Sequence, residues 1–468
     1  MERLRVSRPR VWWPLFGAPV ALWRLACTWR VLCEGCDLVL PARHATRYGL
    51  LTSGSRRHRG GGVIVRGAPV RVIVPRRVGL RLTSTGFMVT VRLFASQTPG
   101  AYAKAAEAMA HAWRVHAVRV ACPRPGTVTL TAIGFDPLRH PGQARSARSG
   151  GGTGLAGLGS ASGPRVPVVR RQDLAVEVGS REDGTAWVID LVERPHHLVT
   201  GATRSGKSTL TAALIAGLAP HRVALVGIDA KGGMELDPFT PRLSNLATTR
   251  AEAVAVTEAL VDEVLDRMGT CRINGVRSVW DLPVELRPVP VPVPVVVVVD
   301  EVAEIFLYAD RSGRDEATRC VTALVRLAQL GAALGVHLWV AGQRFGSDLG
   351  PGATLLRAQL VGRICHRVAD VETAEMTLAG LPAEAVQAAL QIPTGLPGVA
   401  VVGDDSANWT RARSVHLDLD EAIATAHHHA DLRVDLPEVT AALDQIRCRG
   451  RHRDDGPDDN HGGEPSWR

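Results

Sequence analysis

Lysine is nearly missing from this chain: Lys104, Lys207 and Lys231 are the three among 55 basic residues. Arginine supplies the rest, a pattern of GC-rich coding rather than of selection for phosphate contacts. A net charge of +9 and a pI near 9.6 allow an anionic partner without identifying one. Paired cysteine is a second shortage. The eight cysteines are scattered, which excludes a disulfide-stapled secreted domain and fits a reduced, cytosolic chain. Cys33 and Cys36 form a lone C-x-x-C, and His427, His428 and His429 read as a solvated helix face rather than a metal site.

Long apolar runs are lacking too. The best candidate, Val11 to Trp23, has 13 residues, roughly 20 Å as a helix against a ~30 Å hydrocarbon core. Extending it to Cys33 takes in Arg24 and Arg30. Each costs about 3 kcal/mol at mid-membrane, which the apolar residues only balance. Pro14 and Pro19 oppose a spanning helix further, and no cleavage site of signal-peptide type follows. Residues 1–52 read as a Trp- and Arg-rich segment able to lie on a membrane or a partner, not to cross.

What is present is organised around Gly201. Gly201, Ala202, Thr203, Arg204, Ser205, Gly206, Lys207 and Ser208 fit G-x-x-x-x-G-K-[ST], the phosphate-binding P-loop. Apolar Leu198 and Val199 lead in, and a helical stretch leads out toward Pro220. Such a turn points successive N–H groups at phosphate oxygens, and the helix N-terminus adds partial positive charge. The loop, extended to Thr209, predicts ATP binding, with Lys207 on the β- and γ-phosphates and Ser208 on Mg²⁺. Arginine's planar fork cannot replace a compact ammonium there. Lysine kept at 207 and 231 is therefore informative.

Two later stretches complete the pattern. Val295 to Val299 is all valine, a strand buried on both faces of a parallel sheet. It ends in Asp300, predicted to hold Mg²⁺ through water, and Glu301, predicted to orient and deprotonate the attacking water. Gly335 to Arg344 is another buried strand, closing on Gln343, which can sense γ-phosphate.

With 468 residues, 46% of them hydrophobic, two or three domains are expected. After a basic, glycine-rich linker at 53–62, strands at 70–74 and 87–94 lead to a helix. Thr98 and Pro99 begin that helix, which ends near His116. Strands at 117–122 and 127–134 complete a small α+β (ββαββ) domain over 60–140, suited to assembly or substrate guiding. Residues 141–164 are a Gly/Ser-rich tether. From 165 to 417, strands alternate with helices, which predicts an α/β motor on a parallel sheet covered on both faces. A proline–valine run at 288–294 feeds the strand that ends at Asp300. Residues 418–468 read as a helix and, past Gly450, a disordered tail.

Four stretches resemble the FtsK/SpoIIIE DNA translocases: Pro195 to Ser208, Ile228 to Leu236, Val299 to Glu304, and Gly335 to Arg344. The second is the most specific, since a Lys-Gly-Gly loop after the second strand is not a general P-loop feature. Residues 60–140 look like that family's small domain ahead of the motor. The resemblance implies a RecA-like fold, a homo-hexameric ring, ATP and Mg²⁺ as cofactors, and double-stranded DNA as the cargo. The single motor and high-GC composition look most like actinobacterial plasmid-transfer versions, so conjugation or DNA segregation is implied, in the cytoplasm or peripheral at the inner face of the membrane. The family's T-Q-R-P stands here as Gly342, Gln343, Arg344 and Phe345, and two arginines frequent in the family appear as Ala332 and Ala374. Arg363 is the choice for the arginine acting across subunits, with Arg367 behind it. The alternative is a protein-secretion ATPase, although those usually carry several motors in tandem. A catalytically idle scaffold is opposed by intact Lys207, Ser208, Asp300 and Glu301.

Overall fold

The computed structural model describes residues 9–41, 72–139, 171–282, 293–346, 349–404 and 407–454. The linkers read at 53–62 and 142–164, and most of the proline–valine run, lie outside the described residues. The chain packs as two compact units, one N-terminal and one running on to the C-terminus.

The N-terminal unit opens with a short helix (Pro9–Trp12) and a π-helical turn (Trp13–Gly17) that lead into helix α1 (Ala18–Gly35). Strand β1 (Leu40–Pro41) then pairs antiparallel with β2 (Val72–Ile73). Next come β3 (Arg77–Leu82), β4 (Gly86–Arg92), α2 (Pro99–Trp113), β5 (Ala117–Arg124) and β6 (Thr127–Ile133). The last four strands form an antiparallel sheet of order β3-β4-β6-β5. Its first strand is not at 70–74 as the sequence suggested. Arg77–Leu82 takes that place, as an edge strand exposed along its whole length. Val78, Leu80 and Leu82 alternate there with Arg77, Gly79 and Arg81, yet neither set is buried.

The tryptophan-rich segment has its own packing. Ala21, Leu25, Trp29 and Cys33, four residues apart, form the buried face of α1. The Trp29 ring stacks on Trp113 at 6.5 Å between centroids, and Phe87 lies 6.0 Å from Trp113. The Trp29 indole N–H donates to Pro75 O at 3.0 Å. Trp13 fills the space where a side chain at Gly134 would stand, 2.3 Å from the would-be Cβ. The opposite face leaves Leu15, Phe16, Val20, Trp23 and Val31 exposed. No helix among the described residues is long and apolar enough to cross a membrane.

The second unit is built on β7 (Ala175–Arg181), β8 (Ala186–Asp190), β9 (His196–Thr200), β10 (Ala224–Ile228), β11 (Asn245–Ala247), β12 (Val295–Val299), β13 (Val336–Gly342), β14 (Gly362–His366), β15 (Val399–Gly403) and β16 (Trp409–Ser414). Their order is β11-β10-β12-β13-β9-β14-β15-β16-β7-β8. The first six strands are parallel to their neighbours. The expected parallel sheet is extended from β15 onward by antiparallel pairing. Short turns close the β7–β8 and β15–β16 pairs, and a crossover helix is needed only between parallel neighbours.

The valine strand is buried on both faces. Val295, Val297 and Val299 join Ala253, Leu260 and Leu324 in one core, and Val296 and Val298 join Leu214 and Leu218 in the other. The helices that supply these contacts are α3 (Lys207–Leu218), α4 (Arg250–Ile273) and α5 (Arg311–Leu330). Thr249 caps α4 by accepting the Glu252 N–H. A last helix, α6 (Pro437–Asp454), packs on α4 and runs four residues beyond Gly450 into the stretch read as tail.

Four histidines sit inside this unit. Burial above all pushes His196 and His366 down to about 4, and His197 and His337 down to about 3. Each is neutral when folded and takes up a proton more readily when unfolded, at an ordinary value near 6.5. Their contribution is complete above pH 6.5 and is lost as pH falls toward 4 and 3. Denaturant midpoints measured from pH 7.5 to 4 should fall, and His337→Phe, which removes one titrating group, should flatten that fall.

Candidate nucleotide site

Parallel strands bring their carboxyl ends to one edge of a sheet, where α/β proteins bind ligands. Here Ile228 registers with Val299, Val299 with Val340, and Gly342 with Thr200. The loops leaving β9, β10, β12 and β13 therefore share an edge, and these carry the four stretches singled out in the sequence.

The P-loop is the turn between β9 and α3. Arg204 and Gly206 take positive φ, 60° and 107°. A Cβ on Gly206 would stand 2.4 Å from the Gly398 N, so both backbone angle and space require glycine. Neighbouring backbone holds the loop: Gly201 N donates to Gly342 O at 3.3 Å, Ala202 N to Arg367 O at 2.9 Å, and Gly398 N to Ser205 O at 2.8 Å. Thr203 and Arg204 are exposed, Ala202 and Thr209 half-buried, and Ser208 is exposed in the first turn of α3.

Lys207 leans across the loop. Its Nζ donates to Asp300 O at 3.1 Å and to Glu301 Oε2 at 3.3 Å. Glu301 is the centre of the cluster, with only 4% of its side chain exposed. The Gln343 N–H reaches both of its oxygens, at 3.1 and 3.2 Å. The backbone of Gln343 touches Glu301 while its side chain faces solvent. Lys231 stands 3.8 Å from Glu301 Oε2 and 3.8 Å from Glu304 Oε1.

Asp300 is buried, and burial pushes its carboxyl up to about 6. Lys207 opposes that rise, while Glu235, Asp229 and Glu301 add to it. Carboxylates outnumber lysines at this edge. Among the described residues no three His, Cys, Asp or Glu side chains converge on one metal position. A cation held here would draw on one carboxylate, a hydroxyl, phosphate oxygens and water, a set that suits Mg²⁺.

Of the predicted residues, Gly201 through Thr209, Asp300, Glu301 and Gln343 come together at this edge. Arg363 does not join them. It registers with Leu198, donates to Arg357 O at 3.0 Å, and lines a separate cavity of about 250 Å³ with Arg181, Asp190 and His197. Burial first, then Arg357, pushes its guanidinium down to about 10. Arg367, the second choice, does reach the P-loop, donating to Thr203 O at 3.1 Å. Sequence reading missed Gly342. A Cβ there would stand 2.9 Å from Glu301 Oε1 and 3.1 Å from a Val302 methyl. Gly342→Ala should displace the carboxylate and lower ATP turnover about 100-fold, the scale of a misplacement near 1 Å. Affinity for a fluorescent ATP analogue should stay within about threefold, because the loop itself is untouched.

Comparison with known proteins agrees with this geometry. Residues 1–134 match the model of the actinomycete conjugal transfer protein N-terminal domain, and residues 165–347 match the FtsK/SpoIIIE family. The chain is 40% identical over 378 residues to the transfer protein TraSA of Streptomyces ambofaciens, covering 78% of this chain and 85% of that one. It is 46% identical over 285 residues to a sporulation regulatory protein of Streptomyces azureus, covering 61% and 90%. The DNA translocase FtsK of Chlorobaculum tepidum is 31% identical over 237 residues, which cover 45% of this chain and 28% of that one. The conjugation coupling protein TcpA of pCW3, solved as a monomer with ATPγS, shares the fold at a TM-score of 0.51 and 20% identity, covering 75% of this chain and 91% of that one. The chain belongs to the FtsK/SpoIIIE family of P-loop ATPases, among its actinomycete conjugal transfer members.

Proposed function

We propose that this ATPase is a ring-forming motor that pumps double-stranded DNA in conjugative plasmid transfer. The observation that carries the reading is the meeting of the P-loop lysine with a buried, backbone-held glutamate. Lys207 is placed to receive the β- and γ-phosphates within the loop of residues 201–209, with backbone N–H groups of Gly206 to Ser208 at the start of α3 cradling them. Glu301 takes the proton of the attacking water; its two oxygens, both held by the Gln343 N–H, leave it little freedom to turn. Gln343, its side chain exposed at the strand end, senses the γ-phosphate. Ser208 and Asp300 would hold Mg²⁺, which neutralises charge on the transferring phosphoryl group when bound.

The motor spans 165–417 in this reading, with 60–140 as the small domain that guides assembly or cargo and 418–468 as an appended helix and tail. Six copies form the ring, and an arginine from a neighbouring subunit completes each site. Arg363 was the sequence choice, with Arg367 behind it; within one subunit the first donates to Arg357 O and the second to Thr203 O of the P-loop. The setting is cytoplasmic and peripheral to the membrane. The solvent face of α1, with Trp23 65% and Val31 69% exposed, supports an interfacial seat rather than a spanning one. Trp23→Asp should shift full-length protein from anionic vesicles to the supernatant in flotation assays without changing turnover. Vesicle binding equal to wild type would remove α1 from the contact.

The test of function is ATP turnover with and without duplex DNA. Lys207→Ala should abolish nucleotide binding, and Glu301→Gln should bind ATP yet hydrolyse it at least about 100-fold more slowly. Unrelated duplexes should stimulate the wild type alike, and stimulation should collapse between 50 and 200 mM salt, because phosphate contacts alone release counterions without reading bases. Stimulation by a secretion substrate, with none by DNA, would replace this reading with the export one.

A further inference from the structure

Two of the three lysines in the chain end on the same oxygen. Lys207 Nζ is 3.3 Å, and Lys231 Nζ 3.8 Å, from Glu301 Oε2. Elsewhere the sequence writes arginine for nearly every positive charge. A lysine retained off the P-loop, and aimed at the carboxylate the P-loop lysine also holds, therefore needs its own explanation.

The loop that carries Lys231 is built to aim it. Asp229 is fully buried at the end of β10. Its Oδ1 accepts from Lys231 N at 3.3 Å, and its Oδ2 from Glu235 N at 2.9 Å and Leu236 N at 3.3 Å. Gly232 and Gly233 then take φ of 84° and 83°, angles that other residues adopt only with strain. Gly232 N donates to Thr248 O and Gly233 N to Asp229 O, so the turn is fixed on both sides. The order aspartate, lysine, glycine, glycine thus gives a template, a cation and a reversal. The cation lands between Glu301 and Glu304, 3.8 Å from each.

Lys207 cannot serve two anions equally. Phosphate oxygens and Glu301 both call on the same ammonium, and a nucleotide in the P-loop draws Lys207 toward itself. Glu301 is 4% exposed and would then lose part of its charge compensation, at a position where an unpaired carboxylate is costly. Lys231 pairs instead with Glu301 and Glu304. We propose that Lys231 is a positioning residue for hydrolysis, the cation that keeps Glu301 oriented while Lys207 is engaged by phosphate. This rests on Glu301 being the base. A compact ammonium suits the task better than a guanidinium, whose planar fork would have to fit between two carboxylates with different orientations.

The experiment uses the full chain with Lys231→Ala, Lys231→Met and Lys231→Arg, each alone and with Glu301→Gln. Measured are kcat and KM for ATP, affinity for a fluorescent ATP analogue, and the thermal midpoint. Lys231→Ala and Lys231→Met should lower kcat about tenfold or more, as lost orientation does, with KM and affinity within about threefold. Lys231→Arg, which restores charge but not shape, should recover part of kcat. In the Glu301→Gln background the Lys231 changes should add less than about twofold, the mark of residues acting as a unit. Unchanged kcat in Lys231→Ala and Lys231→Met would overturn the proposal. So would a parallel loss of nucleotide affinity, which would place Lys231 on the phosphates, or a full additional loss in the Glu301→Gln background. Wild-type turnover by Glu301→Gln alone would instead remove the base assignment beneath it.

Discussion

A buried carboxylate is the constraint on which this site depends. Glu301 has 4% of its side chain exposed, and removing the partner of a buried ion pair typically costs about 3–5 kcal/mol. Much of the surrounding sequence answers to that charge. The all-valine strand delivers it to the sheet edge, dry on both faces. Gly342 leaves the space that a Cβ would take from its Oε1, and the next residue supplies an N–H to both oxygens. Lys207 ties the P-loop to the same group. Strand β13, between β9 and β12 in the sheet, thus supports both halves of the chemistry: its end closes on the P-loop through Gly342 O and on the glutamate through Gln343 N.

The parts legible in the sequence were those where a chemical requirement and a local pattern coincide. The P-loop glycines, the valine run and its two carboxylates each announce themselves within a few residues. Less was visible where the deciding contact is distant. Gly342 looks like an ordinary strand-end glycine until Glu301, 41 positions earlier, is placed beside it. Of the antiparallel strands, Trp409–Ser414 and Ala175–Arg181 were hidden because they mix arginine and small residues. The edge strand Arg77–Leu82 alternates in sequence but buries neither face. The tryptophans near the N-terminus read as interfacial because periodicity reveals an apolar face without saying what covers it. Trp13 and Trp29 are in the unit's own core, while Trp23 is outside.

Charge at the sheet edge is deliberately unbalanced. Asp229 spends its oxygens on three backbone N–H groups, a structural use that keeps the Lys-Gly-Gly loop in place. Asp300 has no such set of donors; burial and the neighbouring carboxylates hold its proton more tightly than usual. Two neighbouring acids, one templating a turn and one left short of positive charge, are separated by their hydrogen bonds rather than by their chemistry. A divalent cation reverses the local preference at Asp300 by adding the charge that the lysines do not supply. Glu301, already supplied with lysines and an N–H, needs no such partner and stays available to a water.

The arginines require a different logic. In a chain that uses arginine almost everywhere, residue type says little about function, and placement has to decide. Arg363 is committed within its own subunit: its guanidinium donates to Arg357 O and is half-buried beside a cavity remote from the P-loop residues in register. Reaching across an interface would require it to give up that bond and leave a partner carbonyl behind. Arg367 sits at the end of β14, where its backbone O accepts the Ala202 N–H and its guanidinium donates to Thr203 O. Both bonds are to the loop that binds phosphate, so any shift of this strand end is felt by the P-loop backbone directly. Arg367 can therefore link the position of β14 to nucleotide binding without touching the nucleotide, a link that Arg363, four residues earlier in the chain, has no geometry to make.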